Sequence, residues 1–147
     1  MKKVKSAVDG VVEVIYTFHM SLRANDLDGV YHVNSVSDYD GPLQKKSDGQ
    51  TEIIDGKTHR IDDAGCEWNS IFEWVNDEKT QVKMTSIADP LNAGADFLLT
   101  RPDGTPTSDK VTYESILNVM RKGDKVQLSG TINYGSETVM ITMRRKG

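Results

Sequence analysis

Frequent Asp-Gly pairs constrain the fold of this chain more than any other feature of its sequence. Glycine adopts positive φ angles without steric cost and aspartate tolerates them, so the pair is typical of tight β-hairpin turns. It occurs at five positions: Asp28-Gly29, Asp40-Gly41, Asp48-Gly49, Asp55-Gly56 and Asp103-Gly104. Turns this frequent leave little room for helices, and the pattern predicts a run of short antiparallel strands.

Alternating apolar and polar residues identify the strands most clearly near the C-terminus. Strands are predicted from about Val111 to Arg121, from Lys125 to Ile132 and from Glu137 to Arg144. Period-2 alternation of this kind indicates strands with one buried face. Turn signals at 122–124 and 133–136 join the three strands into a predicted meander.

The middle of the chain shows the same alternation with less regularity. A strand over 67–75 places Trp68, Phe72 and Trp74 on one face, with Ser70 between them. A second strand over 80–88 places Val82, Met84, Ser86 and Ala88 together. Shorter strands are predicted at 30–37, 51–54, 58–61 and 96–100. Residues 89–95 and 102–107 are predicted to be loops, because their prolines cannot donate hydrogen bonds to a strand ladder.

The N-terminal segment fits two structures. Its apolar residues from Val8 to Leu22 fall at helical spacing, but those from Val12 to Leu22 also alternate along a strand. Valine and isoleucine favour the extended form. We expect a strand that begins near Gly10, with a short N-terminal helix as the alternative.

A chain with nine or ten predicted strands must protect their edges. Closure into a barrel does this fully, and a two-layer sandwich does it in part. A length of 147 residues suits one domain, 1–147. The predicted fold is therefore all-β, a single antiparallel β-barrel with a meander of about eight to ten strands. A sandwich is the alternative.

The predicted layout resembles the calycin architecture of lipocalins and fatty-acid-binding proteins. Gly29-Val30-Tyr31 is similar to the glycine-aromatic strand opening of lipocalins, with tyrosine where tryptophan is usual. This likeness is one of architecture, and a shared architecture does not establish function.

Charge and cysteine content exclude several classes of protein. A net charge of −4 and a pI near 5.3 argue against a nucleic-acid partner, because binding to phosphates needs a basic surface. No apolar run approaches the roughly 20 residues of a membrane span. Cys66 is the only cysteine, so no intramolecular disulfide can form. Asp9, Gly10 and Glu13 interrupt the stretch where a signal peptide would be apolar. We expect a soluble cytoplasmic protein without membrane contacts.

Potential metal ligands and nucleophiles form no established motif. The densest group has four members within eight positions: His59, Asp62, Asp63 and Cys66. Residues 62–65 also have the composition of an ordinary turn, so no metal site and no cofactor are predicted. Residues 38–41 are similar to part of a calcium loop but lack its closing glutamate. Cys66 and His59 could form a thiolate–imidazole pair, but a lone cysteine is more often a small hydrophobic residue. No catalytic residue is predicted.

Aromatic side chains give the strongest binding signal. Trp68, Phe72 and Trp74 lie on one face of a strand, where they form either core or the wall of a cavity. Methionines such as Met84 would make such a wall adaptable. A ligand carboxylate could pair with an arginine through two hydrogen bonds. The candidate ligand-binding residues are Trp68, Phe72, Trp74, Met84, Arg60 and Arg101.

Three functions remain open at this point. The first is a non-catalytic β-barrel that binds a small apolar or amphipathic ligand. The second is an interaction or structural module with a filled core that acts as a homo-oligomer, for example a homodimer. The third is a barrel-type enzyme acting on a small lipid-like substrate, which no residue pattern positively supports. The aromatic and methionine content favours the first.

Overall fold

Ten antiparallel strands make up most of the part of the chain that the computed structural model describes. That part is residues 22–38 and 45–146, with residues 45–48 described by their backbone alone. A single 3-10 turn, Asn25–Leu27, precedes the first strand. The strands are β1 (Gly29–Ser37), β2 (Lys45–Ile53), β3 (Lys57–Ile61), β4 (Glu67–Trp74), β5 (Gln81–Asp89), β6 (Leu99–Thr100), β7 (Pro106–Thr107), β8 (Val111–Lys122), β9 (Lys125–Asn133) and β10 (Thr138–Arg145).

Eight of these strands form one antiparallel sheet that curves into a nearly closed barrel. The strand order is β2-β1-β10-β9-β8-β5-β4-β3. The last strand returns to the first, since β10 pairs with β1 from Tyr31↔Arg145 to Ser37↔Val139. The β6–β7 hairpin forms a separate two-stranded sheet. The all-β barrel predicted from the sequence is confirmed.

The barrel is incomplete along one side, between β2 and β3. A tight turn joins these strands, with Asp55 at φ 54° and Gly56 at φ 69°, as a type I′ hairpin requires. The isolated bridge Ile54↔Lys57 closes that turn. Within the described residues no ladder continues from this bridge, so β2 and β3 remain the two edges of the sheet.

Most predicted strands are present, and the differences lie in the loops and edges. The C-terminal meander is confirmed as β8, β9 and β10. Asp48-Gly49 lies inside β2 and not in a turn, because β1 offers it a continuous partner, with Gly49 opposite Val33. The strand predicted at 96–100 is only Leu99–Thr100, and its partner Pro106–Thr107 lies in a predicted loop. The N-terminal strand or helix falls outside the described residues, as do residues 39–44.

One end of the barrel is filled by a packed hydrophobic core. Its fully buried side chains include Leu27, Tyr31, Ile53, Val82, Leu117, Leu128 and Ile132. The 3-10 turn covers this end, where the Tyr31 hydroxyl donates to the Leu27 carbonyl at 2.6 Å. Ala24 N donates to the Phe72 carbonyl at 2.9 Å and so attaches the turn to β4. Burial of these side chains is the main stabilising contribution of the fold.

A second, smaller cluster lies toward the other end of the barrel. Its buried members are Cys66, Ala88, Leu99, Val111 and Tyr113. In the β4–β5 ladder, Trp68 pairs with Ala88 in this cluster, and Trp74 pairs with Val82 in the first cluster. The two pairs are separated by six residues along β4, which is three inward-facing positions. The described residues include no helix long and apolar enough to cross a membrane.

The side chain of Asp26 makes polar contacts with three residues at the packed end of the barrel. It accepts hydrogen bonds from Trp74 Nε1 at 3.0 Å and Lys79 Nζ at 3.2 Å, and Arg121 lies 3.7 Å away. Burial raises the pKa of Asp26, but hydrogen bonds from Lys79 and Trp74 outweigh it and hold the pKa below 3.8. The ionised carboxylate therefore stabilises the folded state.

Acid is expected to remove this stabilisation. Because the folded-state pKa of Asp26 lies below the unfolded-state value, its contribution is present above about pH 4 and is lost as pH falls through the folded-state pKa. Asp26→Asn should flatten that part of the pH profile in urea unfolding. Asp77→Asn, in the exposed β4–β5 turn, is the control. Identical acid profiles for wild type and Asp26→Asn would contradict the assignment.

Candidate ligand-binding site

The interior of the barrel holds a cavity of about 580 Å³. All eight strands of the main sheet contribute to its lining, together with Leu98, Leu99 and Thr100 from the β6 segment. The volume lies within the roughly 300–1,000 Å³ that is typical of small-molecule sites. The described residues therefore form both a packed core, at the end of the barrel that the first cluster occupies, and a cavity.

Cross-strand register arranges part of the lining in three rows across β3, β4 and β5. From the Trp68 end toward the packed core, these are Arg60–Trp68, Thr58–Ser70–Ser86 and Phe72–Met84. Inner-facing positions along a strand are separated by two residues, so adjacent rows lie about 7 Å apart along the strands. From the Trp68 end to the packed core, the lining therefore changes from a charged row to a row of hydroxyl groups and then to an apolar row.

Three aromatic rings form a wall at the Trp68 end. The Trp68 and Tyr113 rings stack with centroids 5.8 Å apart, and Tyr134 meets Trp68 edge-on at the same distance. Tyr113 and Tyr134 meet edge-on at 4.9 Å. These are the preferred geometries of aromatic pairs. The three rings therefore present a packed aromatic surface at the Trp68 end.

Asp62 fixes the orientation of the Trp68 ring. Its Oδ2 accepts a hydrogen bond from Trp68 Nε1 at 3.0 Å. Its Oδ1 accepts from the backbone N–H groups of Ala64 and Cys66, at 3.0 and 2.9 Å. The same turn is closed by Gly65 N donating to the Asp62 carbonyl at 3.0 Å. The predicted turn at 62–65 is confirmed, and it positions the largest ring of the wall.

Arg60 lies against the Trp68 ring of this wall and lines the cavity. Its guanidinium carbon is 5.1 Å from the centroid of the Trp68 ring, a cation–π contact. Among the described residues, no carboxylate lies within 4.0 Å of Arg60. Glu137 also lines the cavity, but its carboxylate accepts a hydrogen bond from the Ser37 hydroxyl. Arg60 is thus a positive group of the cavity lining with no ionic partner in the part of the chain that the structure describes.

Tyr134 contributes a neutral hydroxyl to the lining. Burial raises the pKa of Tyr134 to about 12, with Arg60 lowering it and Tyr113 and Glu137 raising it. The phenol therefore stays protonated at neutral pH. Its Oη makes no hydrogen bond to any residue that the structure describes. It can donate to a polar group of a ligand.

Ser70 and Ser86 place two further hydroxyls deeper in the cavity. They are only 9 % and 4 % exposed, and their Oγ atoms lie 2.7 Å apart in a mutual hydrogen bond. Both positions fall on the buried faces predicted from the alternation pattern. The sequence showed where these serines point, but not that they line a cavity.

Four of the six candidate residues from the sequence line this cavity, and two do not. Arg60, Trp68, Phe72 and Met84 are lining residues. Trp74 is 5 % exposed and belongs to the packed core, where its Nε1 donates to Asp26. Arg101 lies at the β6–β7 hairpin and donates to Thr105, Thr107 and the Pro106 carbonyl. Whether any of the six binds a ligand stays a prediction.

Tyr113 and Tyr134 also line the cavity, although neither is among the six candidates from the sequence. Tyr113 lies on the buried face of β8, and the strand alternation carried that signal. Tyr134 lies in the β9–β10 turn, where alternation ends and the side-chain direction depends on the turn geometry. Only the folded arrangement brings it against Trp68.

The group formed by His59, Asp62, Asp63 and Cys66 does not converge on a metal position. His59 Nε2 lies 2.8 Å from Glu67 Oε2, across the β3–β4 ladder. Asp62 is used by the turn and by Trp68. Over residues 22–38 and 45–146, no three His, Cys, Asp or Glu side chains are placed to share a metal ion.

The Cys66 thiol is expected to react slowly in the folded protein. Burial raises the pKa of Cys66, and the nearby charges of Asp62 and Asp89 raise it further. Since the thiolate is the nucleophile, both effects oppose alkylation. Iodoacetamide labelling followed by mass spectrometry should be slow in native protein and rapid in guanidinium chloride. Equal rates in the two states would restore Cys66 as a candidate nucleophile.

Comparison with known proteins gives no match to this chain, whether by family model, curated protein sequence or solved structure. The resemblance to lipocalins in particular stays a prediction from the layout.

Proposed function

We propose that this protein binds a small amphipathic molecule without catalysing a reaction on it. The apolar part of the ligand occupies the barrel cavity, and an anionic group pairs with Arg60. The observation that carries this proposal is the guanidinium of Arg60, which has no ionic partner among residues 22–38 and 45–146 and lies against Trp68 at a cavity with aromatic walls.

The chemistry of the lining supports a ligand of mixed polarity. Phe72, Met84, Ile132 and Met143 offer apolar surface next to the packed core. Hydroxyl groups and Arg60 lie toward the opposite end. A ligand that was apolar throughout would leave the hydroxyls without polar partners, which costs free energy. An amphipathic ligand satisfies both ends.

A carboxylate is the anionic group that suits Arg60 best. Guanidinium donates two parallel hydrogen bonds to a carboxylate, and such charge-assisted bonds are about twice as strong as neutral ones. The Trp68 ring holds the guanidinium in place, and Asp62 holds the ring. Preorganisation of this kind lowers the entropic cost of binding.

Calorimetric titration with decanoate tests the proposal. Removing a hydrogen bond to a charged group costs about 1.5–3 kcal/mol, so Arg60→Met should weaken binding about 10- to 100-fold. Arg101→Met is the matched control, because Arg101 lies outside the cavity, and it should leave the affinity unchanged. Equal affinities for wild type and Arg60→Met, or no binding of decanoate to the wild type, would refute the proposed function.

A further inference from the structure

The Ser70–Ser86 pair has unused hydrogen-bonding capacity at the cavity surface. Two hydroxyls have two O–H donors, and their mutual bond uses one of them. In the described part of the chain, neither hydroxyl contacts another polar group. One donor and several acceptor lone pairs are therefore left over at the cavity surface.

Ser115 shows how a buried serine is satisfied without a ligand. It is 8 % exposed, comparable to Ser70, and lies on the inner face of β8. Its hydroxyl donates to the Thr131 carbonyl at 2.6 Å, so the backbone takes its donor. Ser115 does not belong to the cavity lining. The serine pair thus differs from Ser115, because one of its two donors has no acceptor among the described residues and lies at the cavity.

We propose that the Ser70–Ser86 pair recognises a second, uncharged polar group of the ligand, a hydroxyl or a carbonyl in the middle of its chain. This inference rests on the proposed function, since it assumes that the anionic end is at Arg60. A carbonyl accepts the spare O–H, and a hydroxyl both accepts it and donates to a free lone pair. The pair thereby selects one oxygenated position of the ligand.

The order of the rows along the strands places that group between the anionic end and the apolar end of the ligand. The row of Thr58, Ser70 and Ser86 lies about 7 Å beyond the row of Arg60 and Trp68. The apolar row of Phe72 and Met84 follows after about 7 Å more. The matching ligand is a medium-chain carboxylic acid with a mid-chain hydroxyl or oxo group and an apolar terminus.

The test compares three acids by calorimetric titration. In an extended chain the hydroxyl of 6-hydroxydecanoate lies about 7 Å from the carboxylate, which is the spacing of the two rows. Wild type should bind it about five- to tenfold more tightly than decanoate, the value of one net hydrogen bond. With 10-hydroxydecanoate no gain is expected, because its hydroxyl would lie against the apolar Phe72–Met84 row.

A double variant, Ser70→Ala with Ser86→Ala, isolates the contribution of the pair. Replacing both partners of a buried hydrogen bond is nearly neutral for stability, so the fold should persist, as circular dichroism can verify. The variant should lose the preference for 6-hydroxydecanoate over decanoate. Ser115→Ala should retain that preference.

The outcomes separate this inference from the proposed function. If decanoate binds in an Arg60-dependent manner but 6-hydroxydecanoate gains nothing in the wild type, the inference is wrong and the proposed function stands. A preference that persists in the double variant also overturns the inference. If none of the three acids binds the wild type, both proposals are wrong.

Discussion

Replacing Phe72 by alanine should lower the free energy of unfolding by about 3–5 kcal/mol, as is usual for a buried phenylalanine. Phe72 is 1 % exposed and belongs to the packed core while also lining the cavity. Its removal therefore leaves core residues without a packing partner on the cavity side. Urea unfolding monitored by circular dichroism measures the change.

The same substitution should also enlarge the cavity. Dodecanoate should then gain affinity relative to decanoate in Phe72→Ala but not in the wild type. Ile87→Ala is the control, because Ile87 lies on the exposed face of β5, and its effect should be small. A loss below about 1 kcal/mol for Phe72→Ala would show that Phe72 is not part of a close-packed wall.

Gly135→Ala should be the most disruptive substitution in the turns of the barrel. Gly135 has φ +87°, and an added Cβ would lie 2.0 Å from the Arg101 carbonyl oxygen. The β9–β10 turn must therefore separate from the Arg101 backbone. In the wild type, the close approach of Gly135 to the Arg101 backbone positions the turn that carries Tyr134. We therefore expect Gly135→Ala to weaken ligand binding as well as to lower stability.

Gly123→Ala separates steric overlap from backbone strain. Gly123 has φ +64° in the β8–β9 turn, with no atom within 4 Å of an added Cβ. Gly123→Ala should lower the free energy of unfolding by only about 1–2 kcal/mol, the cost of placing alanine in a left-handed conformation. Thermal unfolding should show a markedly lower midpoint for Gly135→Ala than for Gly123→Ala. Similar midpoints would mean that overlap with the Arg101 carbonyl does not add to the loss of stability.

Strand alternation predicted the fold because most of these strands have one buried and one exposed face. In β8 every inner residue from Val111 to Val119 is buried and every outer one is exposed. The same regularity in the sequence correctly assigned Trp68, Phe72 and Met84 to inward-facing positions of their strands. Met140 broke the pattern as an apolar residue among outward-facing positions, and it is indeed exposed.

The division of the interior into core and cavity could not be predicted from local pattern. Trp68 and Trp74 share one face of β4, yet only Trp68 lines the cavity. What separates them is the 3-10 turn at Asn25–Leu27, which packs near Trp74 and comes from far along the chain. Likewise, the pairing of β10 with β1 is a long-range contact that no turn signal encodes.

The central claim, a ligand in the cavity with its carboxylate at Arg60, can be tested by fluorescence quenching with 2-bromodecanoate. Its bromine is next to the carboxylate and quenches indole emission at short range. Trp74→Phe leaves Trp68 as the only emitter, and Trp68→Phe leaves Trp74. At concentrations that saturate each variant, with decanoate as the unbrominated control, emission from Trp68 should be strongly quenched and emission from Trp74 should not. Equal quenching of the two tryptophans, or no quenching of Trp68, would contradict the claim.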